Sequence, residues 1–297
     1  YVKSAKNTII TLADNSENYL SDGSEYLYEE LNDDGTVTDE PSACIFSKDD
    51  LTINGNGTLN VVGNYNNGIA SKDDLKITAG TVNVTAVNNG LKGKDSITIK
   101  GGEITVNSTG DGVKSDNTED TTKGYIIIEG GSLNITSGGD GIQAETTLTI
   151  SDGDINIVSG GGSSNAATHA ESFQMGPWAN PSNTSSSSSS ETGSAKALKA
   201  GTALTVDGGN ITIDSADDSI HTNDTVTING GYIVIDVAGD GVDSNGSITM
   251  TNGTVIVNGP ENSGNGALDY DTTFDISGGV FVAAGNNGMV QAPSTSS

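Results

Sequence analysis

Positive charge is scarce in this sequence, and arginine is absent. The chain has 12 basic residues, all of them lysine, against 39 acidic residues, so its formal net charge is −27. Nucleic-acid binding requires a clustered positive surface that neutralises phosphates, and this composition excludes that class of partner. The same imbalance disfavours purely electrostatic binding to anionic lipids or polymers.

Cysteine, aromatic residues and long apolar runs are also scarce. The single cysteine, Cys44, excludes an intramolecular disulfide framework. Apolar residues make up 33% of the chain and aromatic residues 4%, which argues against a thick globular core. Because no run of about 18 apolar residues occurs, we expect no transmembrane segment.

Glycine, in contrast, is abundant and regularly spaced. Glycines that precede short apolar-alternating runs recur with a base period of 22 residues, as at Gly209, Gly231 and Gly253, and the longer steps between others indicate insertions. Alternation at period two, in runs rich in Ile, Val and Thr and bounded by Gly, Asn and Asp, predicts short β-strands. One unit of this kind cannot bury its apolar face alone, so the units must stack.

The repeat therefore predicts an all-β fold, a right-handed single-stranded parallel β-helix of about nine to ten coils. We expect residues 1–43 to form an N-terminal cap and residues 44–297 to form the β-helix, with a Ser-rich loop inserted at about 161–196. Stacking turns equivalent residues into columns. The predicted inward column is Val61, Val84, Val106, Ile135, Ile157, Ile213, Ile235 and Val257. A predicted outward apolar column is Val234, Ile256 and Phe281; we expect the tail 291–297 to cover it, and a contact patch is the alternative.

Asp or Asn followed by Gly recurs at one corner of the repeat, before the middle strand of each unit. Turn chemistry accounts for each pair taken singly. Stacking, however, places equivalent side chains about 4.8 Å apart. Asp111 then lies beside Asp140, and Asp218 lies beside Asp240. Such carboxylates repel each other, and a Ca²⁺ ion at about 2.3–2.6 Å from each oxygen would relieve the repulsion.

The predicted metal ligands are therefore hard oxygen donors that would hold calcium. They are Asp111, Asp140, Asp214, Asp217, Asp218, Asp240 and Asp243, with Asp50 and Asp74 as a further candidate pair at another corner. Two histidines, His169 and His221, give a zinc site little support. The alternative is that the acidic clusters form only a solvated surface.

A second column follows the turn and points outward. Its predicted members are Ala70, Lys92, Lys114, Gln143, Lys199, His221, Asp243 and Leu268. Cations and acceptors that alternate along a flat face suit a linear polymer with regularly spaced hydroxyls and carboxylates. The alternative is that the lysines only compensate the aspartate column. Trp178, in the Ser-rich insertion, either stacks on a sugar or anchors its own loop.

Three stretches resemble a known family: A-D-D-S-I-H-T-N-D-T-V-T-I-N-G-G (216–231), A-G-D-G-V-D-S-N-G-S-I-T-M-T-N-G (238–253) and S-A-K-A-L-K-A (194–200). They are similar to clostridial extracellular carbohydrate-binding β-helix domains, which are related in fold to family-nine pectate lyases. The resemblance covers about Asp49 to Met289. It implies a calcium-containing right-handed β-helix that binds plant cell-wall polysaccharide, such as polygalacturonate or cellulose, at the bacterial surface.

The relation to lyases raises the question of catalysis. Calcium-dependent pectate lyases remove a proton with a strong base, and Lys199 and Lys114 are the candidates here. A lysine base must be desolvated to lose its proton, whereas the short Gly, Ser and Asn neighbours predict an open, wet face. We therefore expect calcium-dependent binding of acidic or neutral plant polysaccharide outside the cell. A pectate lyase and a passive stalk or adhesin are the alternatives.

Overall fold

A computed structural model describes residues 1–28, 35, 38, 40–168, 194–261 and 264–296. In this part of the chain, short strands alternate with tight corners, and neighbouring strands pair in parallel with partners about one repeat away in sequence. Three parallel sheets result, and each full coil adds one strand to each of them in turn. The chain is therefore a parallel β-helix, as the 22-residue repeat predicts.

The three sheets are numbered in the order in which the chain visits them. Sheet 1 has eleven strands: Asn7–Leu12, Asp50–Gly55, Asp74–Ile77, Ser96–Ile99, Tyr125–Ile128, Thr147–Ile150, Ala203–Val206, Thr225–Ile228, Ser247–Met250, Thr273–Ile276 and Thr295–Ser296. Sheet 2 has ten: Glu17–Ser21, Thr58–Gly63, Thr81–Ala86, Glu103–Ser108, Ser132–Ser137, Asp154–Ser159, Asn210–Ser215, Tyr232–Val237, Thr254–Asn258 and Val280–Ala284. Sheet 3 has nine shorter strands: Ala43–Ser47, Asn67–Ser71, Leu91–Gly93, Val113–Ser115, Ile142–Ala144, Leu198–Ala200, Ile220–Thr222, Val242–Ser244 and Leu268–Tyr270.

The inward faces of the sheets enclose one continuous core of Leu, Ile and Val. Each strand alternates inward and outward side chains, which is why the sequence alternates at period two. The predicted inward column from Val61 to Val257 is confirmed, because its successive members are register partners in sheet 2 and every one is buried. No helix in the described residues has the length and apolar character needed to span a membrane.

Two corners favour glycine or another small residue, for different physical reasons. At the corner between sheets 1 and 2, glycines such as Gly231 adopt a positive φ, here 88°, which other residues rarely tolerate. At the corner between sheets 2 and 3, close packing keeps the residue before the sheet 3 strand small. Most coils have Gly there, and residues such as Ala197 and Ser219 take this place in others. A Cβ atom added at Gly141 would lie 2.5 Å from Cγ2 of Ile157 and 2.6 Å from the carbonyl oxygen of Ala197.

The solenoid begins earlier than the predicted boundary at residue 44. Asn7–Leu12 and Glu17–Ser21 pair in parallel with the next strands of sheets 1 and 2, so they form the first rungs rather than a cap. The apolar run Thr8–Leu12 continues the core pattern, which explains why it joins the stack. Only sheet 3 begins near the predicted position, at Ala43, and a bridge from Val2 to Ser47 covers its edge.

The last coil departs from the predicted register by one residue. Phe281 pairs with Val255 and turns inward, where its ring closes the core against Phe274 at a centroid distance of 5.2 Å. Val282 is the residue that continues the outward column, so the placement of Phe281 was wrong. In the described part of the tail, Thr295–Ser296 adds a strand to sheet 1 and so does not cover this column.

The predicted insertion falls between the sheet 2 strand Asp154–Ser159 and the sheet 3 strand Leu198–Ala200. A short 3₁₀ helix, Ser163–Thr168, follows the first of these strands, and the chain is described again from Ser194. Residues 169–193, including Trp178, lie outside the described residues. The proposed sugar-stacking role of Trp178 therefore stays a prediction.

Close packing at the second corner gives a test of the stack. We expect Gly141→Ala to destabilise the protein by about 1–3 kcal/mol, because the new methyl group overpacks the core edge. Gly130→Ala is the matched control, since the nearest atom to its new Cβ lies 3.5 Å away. Urea denaturation of both variants measures the difference. Equal stability of the two variants would contradict the close stacking of coils at Gly141.

Candidate functional site

The outward side chains of sheet 3 form the predicted second column. Register pairs join Ala70 to Lys92, Lys92 to Lys114, Lys114 to Gln143, Gln143 to Lys199, Lys199 to His221, and His221 to Asp243. The column ends differently from the prediction. Leu268 pairs with the core residue Val242 and is buried, whereas Asp269 takes the outward place beside Asp243. The prediction for Leu268 was therefore one residue out of register.

The corner beside this column carries a ladder of side-chain to backbone hydrogen bonds. The Oδ1 atom of one Asp or Asn accepts a hydrogen bond from the backbone N–H of the equivalent residue in the next coil. These bonds run from Asp111 N to Asn89 (2.9 Å), Asp140 N to Asp111 (2.8 Å), Lys196 N to Asp140 (2.8 Å) and Asp240 N to Asp218 (2.8 Å). The structure thus brings Asp111 next to Asp140, and Asp218 next to Asp240, in adjacent coils.

Each ladder carboxylate keeps its second oxygen, Oδ2, for another partner. In the N-terminal half of the site these partners are lysines of sheet 3: Lys114 Nζ lies 2.7 Å from Asp111, and Lys199 Nζ lies 3.1 Å from Asp140. Lys92 pairs in the same way with Asp116 at 2.7 Å. The lysines therefore neutralise this pair of carboxylates.

A groove of about 520 Å³ runs along this half of the face. The three lysines, Gln143 and the carboxylates of Asp111, Asp116 and Asp140 line it together with corner residues. The lysine side chains lie along the surface and keep 24–29% of their area exposed. We name this groove, with Lys92, Lys114, Gln143 and Lys199 along its floor, the lysine groove.

The C-terminal half of the site has a different charge balance. Lys196 takes the ladder position between Asp140 and Asp218 and is buried. Its ammonium group lies 2.5 Å from Asp218 and 3.4 Å from Asp217. Burial lowers the pKa of Lys196. The two carboxylates together raise the pKa by more than burial lowers it, so the pKa lies above its ordinary value. Lys196 therefore acts as a buried cation.

Beyond Lys196, carboxylates outnumber cations. The group comprises Asp217, Asp218, Asp240, Asp243 and Asp269, which we name the acidic cluster. Residues 194–261 and 264–296 contain two lysines, and one of them, Lys199, pairs with Asp140. Nδ1 of His221 contacts Asp243 and lies 3.8 Å from Asp218. One ligand atom each from Asp218, His221 and Asp243 lie within 4.8 Å of one another, close enough to share a metal ion.

The pKa values of carboxyl groups in the acidic cluster, among them Asp240 and Asp218, are raised. Burial, together with the charges of Asp218, Asp243 and Asp269, raises the pKa of Asp240 to about 7, despite a hydrogen bond from Gly266 N–H. Burial also raises the pKa of Asp218, although Lys196 opposes this effect. The cluster is therefore short of positive charge at neutral pH.

Three predicted ligands lie apart from the acidic cluster and the lysine groove. Asp214 is on the outward face of sheet 2, where Oδ1 accepts a hydrogen bond from Ser163 N–H at 2.6 Å. Asp50 and Asp74 are neighbours at the start of sheet 1 strands, as predicted, and the backbone N–H of Asp74 donates to Oδ1 of Asp50 at 3.4 Å. Asp74 also accepts a hydrogen bond from Ser96 Oγ at 2.7 Å.

Sequence reasoning missed two residues of the site. Ser194 Oγ donates to Asp140 Oδ1 at 2.7 Å and accepts a hydrogen bond from Lys199 Nζ at 3.2 Å. Its place was hidden because the insertion before it breaks the repeat. Asp269 was missed because the 26-residue step from Gly253 to Gly279 hides the register. Aligning Leu268 with the core residues Val242 and Ile220 would have found it.

The environment of Lys114 bears on its predicted alternative role as a general base. Burial lowers the pKa of Lys114, but the carboxylates of Asp111, Asp116 and Asp140 raise it, and the net pKa lies above the ordinary lysine value. A general base must be uncharged near the working pH. Lys114 is instead kept protonated, which suits a residue that binds an anion.

The raised pKa of Asp240 predicts a pH-dependent stability. The folded pKa exceeds that of the unfolded chain, so the folded state loses stability as pH rises from about 4 through 7. Asp240→Asn keeps an Oδ1 acceptor for Gly266 and removes the charge. We expect it to gain about 1–2 kcal/mol at pH 8, after allowing for solvent screening, and little at pH 4.

Asp111→Asn is the matched control, because it keeps the ladder but loses the ion pair with Lys114. We expect this variant to be no more stable than the parent at pH 8. Thermal unfolding at pH 4 and pH 8, in the presence of a chelator, measures both variants. A pH-independent effect of Asp240→Asn would contradict the electrostatic account of the acidic cluster.

Comparison with known proteins places this chain in a family. A family model described as "Carbohydrate-binding domain-containing protein" matches residues 1–241. A protein of that description from Acetivibrio thermocellus is 59% identical over 125 residues, which are 42% of this chain and 42% of the relative. A solved structure, "Structure of the polysaccharide lyase-like protein from C. thermocellum, Gadolinium derivative", is 44% identical over 52% of this chain and 60% of that chain, with a TM-score of 0.49. On the extent of the family match, this chain belongs to the carbohydrate-binding domain-containing proteins.

Proposed function

We propose that the chain binds acidic plant cell-wall polysaccharide of the polygalacturonate or pectin type in a calcium-dependent manner, outside the cell and at its surface. The observation that carries the proposal is the lysine groove, in which three ammonium groups face one open side of sheet 3. Carbohydrate binding itself is the property of the family. The polymer class, the ion and the location are the proposal.

The spacing of the lysine groove supports a linear ligand. Its floor residues occupy four successive coils, so their side chains recur at about 4.8 Å along the axis. An extended polysaccharide lying parallel to this axis would present hydroxyls and carboxylates to each coil in turn. Lys114 stays protonated, so it can donate charge-assisted hydrogen bonds to a uronate carboxylate.

Net charge explains why the proposal includes calcium. A chain of charge −27 repels a polyanion at long range. Calcium prefers six to eight oxygen ligands, and the carboxylates of the acidic cluster supply donors of that kind. Asp240 and Asp243 fit such an ion better than the Asp111–Asp140 pair, which its lysines already neutralise. Asp217 and Asp218 are the inner members of the cluster, and both already pair with Lys196. The ion would add positive charge at the end of the groove that lacks lysine.

A lyase has less support than a binding protein, because Lys114 is held in its charged form. Release of unsaturated products from polygalacturonate in calcium buffer would instead assign a lyase. Failure to retain any polysaccharide in that buffer would assign a passive stalk. A neutral polymer such as cellulose as the main ligand would leave the lysine groove without a role.

The calcium proposal predicts that chelation abolishes retention on polygalacturonate. In affinity electrophoresis through polygalacturonate gels, we expect strong retardation with millimolar calcium and none with excess chelator. Asp243→Asn should raise the calcium concentration needed for half-maximal retardation by about tenfold or more, because one charged ligand is lost. Asp154→Asn, a carboxylate on sheet 2, is the control and should leave it unchanged. Retardation that persists in chelator would refute the calcium requirement.

The lysine groove makes its own prediction. We expect Lys114→Gln and Lys199→Gln each to weaken binding to a galacturonate oligomer about tenfold, because each removes one charge-assisted hydrogen bond of about 1.5 kcal/mol or more. Lys100→Gln is the matched control, since Lys100 pairs with Glu129 at 2.6 Å on an exposed corner elsewhere. Isothermal titration at fixed calcium measures the three variants. Equal affinities would show that the polymer does not lie in the groove.

A further inference from the structure

The outward face of sheet 3 continues beyond the lysine groove toward the N-terminal end. Phe46, Ala70 and Lys92 are successive register partners in one outward column. Phe46 and Ala70 are buried, so this end of the face is covered, whereas the lysine end is open. The ring of Tyr1 lies on Phe46, edge to face, at a centroid distance of 5.6 Å.

Half of the eight tyrosines of the chain gather at this end: Tyr1, Tyr26, Tyr28 and Tyr65. Tyr26 and Tyr65 are stacked, with centroids 4.4 Å apart and planes 16° apart. Tyr28 stands edge-on to both at 6.2 Å. Tyr26 Oη donates to Asp22 at 2.6 Å, and Tyr28 Oη donates to the carbonyl of Pro41 at 3.1 Å. These bonds hold the rings in place before any ligand arrives.

The rings of Tyr1, Tyr26 and Tyr28 line a cavity of about 590 Å³, which we name the tyrosine cavity. Its described lining is Tyr1, Glu25, Tyr26, Leu27, Tyr28, Thr38, Glu40 and Pro41. The apolar lining is open to solvent, since Leu27 is 93% exposed and Tyr1 is 53% exposed. Fixed aromatic rings beside an open concavity, with a few polar groups, are the usual features of a small-ligand site.

The charges at the tyrosine cavity select against an acidic ligand. The described lining of the cavity has two carboxylates, Glu25 and Glu40, and no lysine, whereas the lysine groove has as many lysines as carboxylates. Glu40 also pairs with Lys48 at 2.7 Å and with Lys72 at 2.6 Å. These two lysines lower the pKa of Glu40, although burial opposes them, and Glu40 therefore stays ionised. A uronate carboxylate placed here would meet Glu40 and Glu25. An uncharged sugar ring would meet no such repulsion.

We propose that the tyrosine cavity is a second carbohydrate subsite, which binds the apolar face of an uncharged pyranose, while the lysine groove binds acidic units. The inference rests on the proposed function, because it treats the groove on the same face of sheet 3 as the polysaccharide site. The occupant is argued from that continuity and from the charge of Glu40. The outward face of sheet 3 would then bind a polymer that contains both neutral and acidic sugars.

The test uses two probes, cellohexaose as a neutral ligand and a galacturonate hexamer as an acidic one. We expect Tyr1→Ala and Tyr28→Ala each to weaken cellohexaose binding about threefold to tenfold, the range expected for one aromatic contact. Binding of the galacturonate hexamer should change less than twofold. Tyr19→Ala is the matched control, because Tyr19 lies in the first coil but on sheet 2 and is exposed.

A measurement on the unaltered protein guards against misfolded variants. With ¹³C-labelled tyrosine, cellohexaose should shift the ring signals of Tyr1, Tyr26 and Tyr28 and leave that of Tyr19 unchanged. Binding of the acidic hexamer without the neutral one would overturn the inference and leave the proposed function intact. Binding of cellohexaose that leaves the ring signals of Tyr1, Tyr26 and Tyr28 unchanged would also overturn the inference. If cellohexaose shifts the ring signals but the galacturonate hexamer does not bind in calcium buffer, the result supports the tyrosine cavity as a subsite and refutes the proposal for the lysine groove.

Discussion

The structure depends on one constraint, the fixed register of one coil on the next. Because each strand pairs residue for residue with strands one repeat away, every outward position becomes a column and every buried position becomes part of the core. Residues 22 positions apart in sequence thereby come within hydrogen-bonding distance, as the backbone N–H of Asp240 and Oδ1 of Asp218 do at 2.8 Å. Glycine at the corner next to the ladder keeps this approach close, since a methyl group at Gly141 would meet the next coil.

The same register sorts charge along the axis of sheet 3. Tyrosines and Glu40 lie toward the N-terminal end of the face. Lysines that pair with carboxylates lie in the middle. Carboxylates lie toward the C-terminal end, where Lys196 is their buried cation. One face therefore offers three chemistries in a line: aromatic rings, ammonium groups and oxygen donors for a hard cation. A linear polysaccharide with mixed sugars could contact all three, which is why we place function on this face.

Local alternation and a constant period made much of this predictable from the sequence. The inward column and the lysine column follow directly from the 22-residue step, and so do the neighbouring pairs of aspartates. Prediction failed where the step changed, at Phe281 and Leu268 in the last coil, because one extra residue moves a side chain to the opposite face. Pairing of the lysines with the aspartate column was one of the predicted alternatives, but the individual partners were not predicted. The sequence does not show that Lys199 reaches back to Asp140 or that Lys196 is buried on Asp218.

The central claim is that acidic polysaccharide lies along the lysine groove with a hard cation beside the acidic cluster. A crystal structure with a galacturonate oligomer and calcium, with anomalous data that identify the ion, tests it most directly. The account predicts sugar density over Lys92, Lys114 and Lys199, and an anomalous peak within about 2.3–2.6 Å of carboxylate oxygens near Asp240 and Asp243. Sugar density on the face of sheet 2, or no calcium at these carboxylates, would contradict it.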